Sequence, residues 1–400
     1  MPQKDRRTRA GRLGRRLAAA AITTVAVGVI VASAQGDAPF GGLGPGALYP
    51  GNLLISRSVY QTAAITPGTT VLPPGCTSAS ATASATPCVT AVADGTYPTV
   101  FNNDGPDASF GVSSPIYLDQ VDPLTGHLIN TIAVPTSDLV TSFSSKSELA
   151  LNLSTDGKYV TFMGYVAPVD GLDVSNSNTP GEVDPTNPAT SAYYRAVATL
   201  NSQGQLHFTE TNAYSGNNGR AAILANGGDS GPVIFTAGNA GNGANPQPAG
   251  VVLGAGAQAL APSIGPEAFQ SPGTPTPVAS FNVTQLGDKA DKIGKDDNFR
   301  GLTIYNNVVY YTKGSGSNGV NTVYFLDTTG KACPTGGVGL PQPGAPLPSS
   351  PIAYNPATVA SSGLASNMCI LKGFNTTIAK TSTNSFPFGI WFANDHTLYV

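Results

Sequence analysis

Charge is what this chain has least of: Asp, Glu, Lys and Arg make up 11% of its 400 residues, against 40% hydrophobic ones. So little charge excludes a disordered polyelectrolyte, and the apolar fraction is enough for a core. Histidine occurs three times and cysteine four times, with no Cys-x-x-Cys spacing and no His beside a Cys, so the usual zinc-binding pattern is absent. The glycine-rich run KGSGSNG at 313–319 lacks the Lys-Ser/Thr ending of a phosphate-binding loop and follows strand-like residues without a helix. That argues against nucleotide binding. In abundance instead are glycine (47) and proline (33), the punctuation of an all-β chain with many turns.

Residues 1–34 read as a secretory signal peptide. Seven basic residues between Lys4 and Arg16 form a head, 17–32 carry no charge, and Ala32-Ser33-Ala34 supplies small residues for cleavage after Ala34. The uncharged run is shorter than the roughly 20 residues that a membrane span prefers. Without the leader, 13 basic and 22 acidic residues remain, a net charge of −9. This charge argues against nucleic acid or an anionic membrane as partner, while the signal peptide implies a secreted, extracellular protein. In that compartment four cysteines suit disulfides. Cys76 with Cys88 and Cys333 with Cys369 each bracket one low-complexity loop, so two local bridges are expected.

Residues 35–51 are Gly/Pro-rich and are expected to be a flexible mature N-terminus. One β domain is expected over 52–400, with low-complexity insertions near 62–98, 237–277 and 332–367. A single hairpin design recurs in it, as NGRAAILANGG at 218–228, NFRGLTIYNNVVYYT at 298–312 and FPFGIWFANDHTLYV at 386–400. Each copy has a small-residue start, an apolar strand, an Asn at a tight turn (Asn226, Asn306, Asn394) and a second apolar strand. Residues 115–135 and 148–166 read as two further hairpins, the second with Leu149, Leu151 and Leu153 alternating inward and Asp156-Gly157 turning the chain. Repeated hairpins mean a repeat architecture.

The segments LALNLSTDGKYVTF, DPLTGHLINTIAV and FGIWFANDHTLYV resemble blades of secreted bacterial β-propellers of the NHL, YVTN and gluconolactonase-like kind. The resemblance implies an all-β, propeller-like repeat domain. Because the last strand-like run stops at Val400 with no partner hairpin, the ring is expected to be incomplete at the C-terminus. It implies little about activity, since such propellers include binding modules, lactonases and lyases. The leading expectation is a module that binds an extracellular small molecule or glycan at a channel mouth. A propeller enzyme of lactonase, lyase or esterase type is the alternative.

Three constellations are candidates for chemistry. Arg220 and Arg300 stand six residues before the turn Asn of their copies; with Asp297 and Asn298 they form a candidate ligand-binding set, suited to carboxylate or phosphate. The same arginines could instead brace neighbouring loops. Asp170, Asp173, Glu182 and Asp184 crowd one Asn/Pro-rich loop with oxygen ligands suited to calcium, although the spacing is not that of an EF-hand and a solvated acidic loop is the plainer reading of the residues. Gly228-Asp229-Ser230-Gly231-Pro232 resembles the nucleophile motif of trypsin-like serine proteases. It lacks one Gly, and the chain has no Ala-His-Cys-like segment. It also occupies a hairpin turn whose sister copies hold no nucleophile, so Ser230 is expected to be an ordinary turn residue. Trp391 lies in an apolar run and is expected in the core.

Overall fold

In the computed structural model of the chain, the residues described are 30–31, 46–59, 66, 112–142, 149–172, 174–182, 191–227, 231–239, 255–263, 277–283, 298–314, 319–329, 331–332, 337–342, 347, 366–378 and 385–400. They are all-β, arranged as several sheets, with one three-residue 3-10 turn at Val174–Asn176.

The strands fall into antiparallel meanders that follow chain order. The first sheet runs Ile30–Val31, Leu53–Ser58, Ile116–Val121, Leu128–Ala133. The second runs Asn152–Leu153, Tyr159–Tyr165, Arg195–Asn201, Leu206–Thr211. A third meander contains Gly219–Ala225, Val233–Gly238, Ala257–Leu260 and Ala279–Val283. A fourth contains Phe299–Tyr305, Val308–Lys313, Thr322–Leu326 and Ser366–Leu371. A short parallel contact between Ala279–Val283 and Ser366–Leu371 links these last two into one nine-stranded sheet, with Val338–Gly339 beside the latter strand. The hairpin Trp391–Asn394 with Thr397–Tyr399 ends the series.

Side-chain parity shows how the meanders pack. On a strand successive side chains point to opposite faces, so odd and even positions report two different neighbours. In the second meander Val160, Phe162, Ala196, Ala198 and Leu200 join Leu54, Ile116, Leu118 and Ile132 of the first sheet in one core. Their sequence neighbours Met163 and Val197 join Ala222, Leu224 and Ile234 of the third meander. Ala221, Ile223 and Phe235 face the other way, onto Phe299, Val309 and Tyr311 of the fourth. Val308, Tyr310, Val323 and Phe325 face away again, onto Ile390, Phe392 and Leu398 of the final hairpin. The meanders therefore stack face to face in chain order. Each inner one is covered on both sides, and its strands accordingly read as nearly continuous apolar runs rather than as polar/apolar alternation.

The hairpin turns follow from local chemistry. Asn306 and Asn307 both have positive φ (48° and 59°), the conformation a two-residue type I′ turn demands and one that Asn tolerates. Leu149 and Leu151 are buried in the core shared with the first sheet, as their alternation predicts. One expectation needs correction. Trp391 is 58% exposed, because its neighbour Phe392 takes the inward position of the final hairpin and parity turns Trp391 out. Within the 237–277 insertion, Ala257–Leu260 forms a strand paired with Val233–Gly238 and Ala279–Val283.

Candidate functional site at the strand-start edge

The stacked meanders share one orientation, so the molecule has a turn edge and a strand-start edge. At the turn edge, Thr155 Oγ1 accepts from the amides of Asn226 (2.9 Å) and Gly227 (3.1 Å), and Asn226 Oδ1 accepts from Asp156 N. Tyr305 Oη (2.6 Å) and Asn306 Nδ2 (3.1 Å) likewise donate to Asp395 Oδ1, while the Tyr305 ring stacks on Phe392. Turn is tied to turn.

At the opposite edge the recurrent arginines do the same for strand starts. Arg220, opening the first strand of the third meander, donates from Nη1 to Asn298 Oδ1 and, at 2.8 Å, to the carbonyl of Phe299. Arg300, one meander later, lies over the Phe388 ring with its guanidinium carbon 4.9 Å from the centroid. Burial pulls the Arg300 pKa down to about 10. Beside it the 387–388 backbone passes close to the fourth meander. Thr312 Oγ1 donates to the Phe388 carbonyl, and a Cβ on Gly301 or Gly314 would collide with the carbonyls of Phe388 or Pro387. Of the candidate ligand set, Arg220, Arg300 and Asn298 thus gather at one edge, engaged with the neighbouring meander; Asp297 lies outside the described residues.

A third arginine is the most deeply built of all and was not singled out from the sequence. Arg195 begins the third strand of the second meander and is fully buried. Its guanidinium donates to the carbonyls of Tyr193 (2.7 Å), Ser177 (2.8 Å), Asn217 (2.7 Å), Ser175 (3.2 Å) and Asn178 (3.3 Å), and to Ser177 Oγ (3.2 Å). It also stacks on the Tyr165 ring. One side chain therefore pins the connection carrying the 3-10 turn to the connection that leads into Arg220. The only sequence signal is an Arg wedged between Tyr-Tyr and an Ala/Val strand.

The acidic connection is only partly described. Asp170 has φ 61°, its amide donates to Ser113 O, and its Oδ1 is buried without a hydrogen-bond partner. Glu182 is buried, with its carbonyl accepting from Ser215 Oγ at 2.7 Å. Asp173 and Asp184 lie outside the described residues, among which no group of three His, Cys, Asp or Glu side chains could hold a metal. Glu210, near the end of Leu206–Thr211, is buried with Oε2 unpartnered, and desolvation pushes its pKa up to about 7. Asn218 Oδ1, at the strand-start edge, is also buried without a partner.

The remaining candidates fall mostly elsewhere. Gly228, Asp229 and Ser230 lie outside the described residues, while His127 and His396 are exposed and His207 is half-buried. Cys369 is buried against the final hairpin; Cys76, Cys88 and Cys333 lie outside the described residues. So do residues 1–34, apart from Ile30–Val31, which pairs with Leu53–Leu54. Among the described residues no helix is long and apolar enough to cross a membrane. Compared with known proteins, the chain matches no family model, no curated protein and no solved structure.

Proposed function

We propose that the stacked meanders are successive blades of a β-propeller-like domain that is exported and binds an extracellular small molecule or glycan at the strand-start edge. The observation that carries this reading is the asymmetry of the two edges. Short turns bonded to one another occupy the turn edge. Polar side chains from successive sheets (Asn217, Asn218, Arg220, Asn298, Arg300) converge at the other. Arg220 and Arg300 shape this edge by gripping the next sheet, and Arg195 makes the flanking connections rigid, so a ligand would meet a pre-organised rim. Export without residues 1–34 and a Cys333–Cys369 bridge belong to the same reading. The test is a thermal-shift screen of the purified protein against neutral sugars, sugar acids and sugar phosphates. A Tm rise with one class, lost in Asn218→Ala, is expected; no shift with any class overturns the proposal.

A metal-dependent enzyme of the lactonase type is the second reading, favoured by the buried, unpartnered Asp170 Oδ1 on the same connection as Glu182. Calcium or another divalent ion bound one per chain, and lost in Asp170→Ala, would support it. Metal-free protein that still shows the ligand-dependent Tm rise would exclude it.

A further inference from the structure

The final hairpin turns two aromatic side chains outward. Phe392 and Leu398 pack inward on the fourth meander, so the adjacent positions, Trp391 and Tyr399, face away from it. These two stand directly opposite each other in the ladder, with ring centroids 5.9 Å apart and planes 20° from parallel. At 58% and 59% exposure, each keeps more than half of its surface in water while their mutual contact holds both in place. The exposed aromatic side chains among the described residues are this pair with Phe386 and Phe388, all within 386–399. Trp391 begins its strand and Tyr399 ends the next, so the pair lies at the strand-start end of the hairpin. That is the side on which Phe388 meets Arg300, opposite the turn at Asp395 that binds Tyr305.

We propose that Trp391 and Tyr399 form a stacking site for the sugar rings of a neutral glycan, continuing the strand-start edge onto the outer face of the final hairpin. The inference rests on the ligand-binding reading of that edge and narrows its ligand to an uncharged oligosaccharide. The surface itself makes the selection. Residues 386–400 contain no Lys or Arg, so stacked nucleobases would bring phosphates that nothing here could meet. A compact apolar ligand needs a concave site, and these rings stand on an open sheet face. A pyranose suits them: its hydroxyls project around the perimeter and leave C–H faces that lie against an aromatic ring, whose negative face attracts the polarised hydrogens. The indole N–H and the phenol hydroxyl sit at the ring edges, where they can bond the sugar hydroxyls. Because the two rings already order each other, binding costs little further side-chain entropy.

Trp391 is the single tryptophan of the 400 residues, so intrinsic tryptophan fluorescence of the full chain reads this site alone. The experiment titrates hexasaccharides of glucose, xylose and N-acetylglucosamine into the protein while emission and Tm are recorded together. Without sugar, long-wavelength emission readily quenched by acrylamide is expected. One of the sugars should move the emission to shorter wavelength, protect it from acrylamide and raise the Tm. By calorimetry, Trp391→Ala and Tyr399→Ala should each weaken that sugar about tenfold or more, and Trp391→Phe should weaken it less. A Tm rise from a neutral sugar that leaves Trp391 emission and quenching unchanged overturns the stacking site and spares the rim. A rise with sugar acids or sugar phosphates alone does the same. No rise with any sugar removes the rim reading and this inference together. Protection from acrylamide in the sugar-free protein, constant or growing with protein concentration, would mean that another β segment or a second copy covers the face, and the proposal would fall.

Discussion

Arg195 shows how one residue can organise several segments. It donates to five backbone carbonyls from three separate stretches, and although those of Ser177 and Asn178 also accept from the amides of Gly216 and Tyr193, its removal takes a donor from each of the five. Each unsatisfied buried acceptor costs roughly 1–3 kcal/mol, and only part of that relaxes away. Arg195→Met should therefore lower stability by about 3 kcal/mol or more, read as a drop in the urea midpoint. Arg195→Lys should recover little, because a point ammonium cannot span the fork of acceptors. Glu210 carries a different signature. Its pKa rises from an ordinary 4.5 to about 7 on folding because burial disfavours the carboxylate. An acid whose pKa is raised in the fold leaves stability untouched below the unfolded value. Stability then falls as pH climbs between about 4.5 and 7, and the loss is complete above 7. Melting temperatures across that window should decline in the native chain, and Glu210→Gln should flatten the decline.

Elements were legible in the sequence wherever a hairpin carried its own turn chemistry. Asn306-Asn307 and Asp156-Gly157 mark turns because their residues accept positive φ, and the apolar runs on either side are the observed strands. Asn307→Ala should cost about 1–2 kcal/mol, since Ala must hold a left-handed φ of 59°. Asn307→Gly should be neutral or slightly stabilising, and the pair of midpoints checks both. Strands lacking β-branched or aromatic residues were not legible: Ala257–Leu260 is the segment Ala-Gln-Ala-Leu, held in place by its neighbours at Phe235 and Ser280. The strand-start edge was legible only halfway. The matched positions of Arg220 and Arg300 were visible, but their partners Phe299 and Phe388 belong to the next sheet segment along the chain and emerge only from stacking. Gly301 has no turn to announce it; its need for no Cβ comes from the Phe388 carbonyl, so Gly301→Ala should destabilise by about 1–3 kcal/mol through overpacking.

At the scale of the whole molecule, stability should follow position in the stack, because each meander contacts chiefly its neighbours in chain order. Phe235 and Phe281 lie in the core between the third and fourth meanders, which is closed from both sides. Truncating Phe235 to Ala leaves a cavity that paired sheets cannot collapse, at a cost of about 3–5 kcal/mol. Phe392 lies between the fourth meander and a two-stranded hairpin whose other face exposes Trp391 and Tyr399. The hairpin can shift to fill space there, so Phe392→Ala should cost less than Phe235→Ala, and Trp391→Ser should stay within about 0.5 kcal/mol of the native chain. Native-state hydrogen exchange supplies the independent measurement. Amides of Val233–Gly238 should exchange only with global unfolding, while those of Thr397–Tyr399 should open at a fraction of that free energy. Equal protection of the two strands would mean that the hairpin is clamped as firmly as an inner sheet, and the gradient expected from stacking would be wrong.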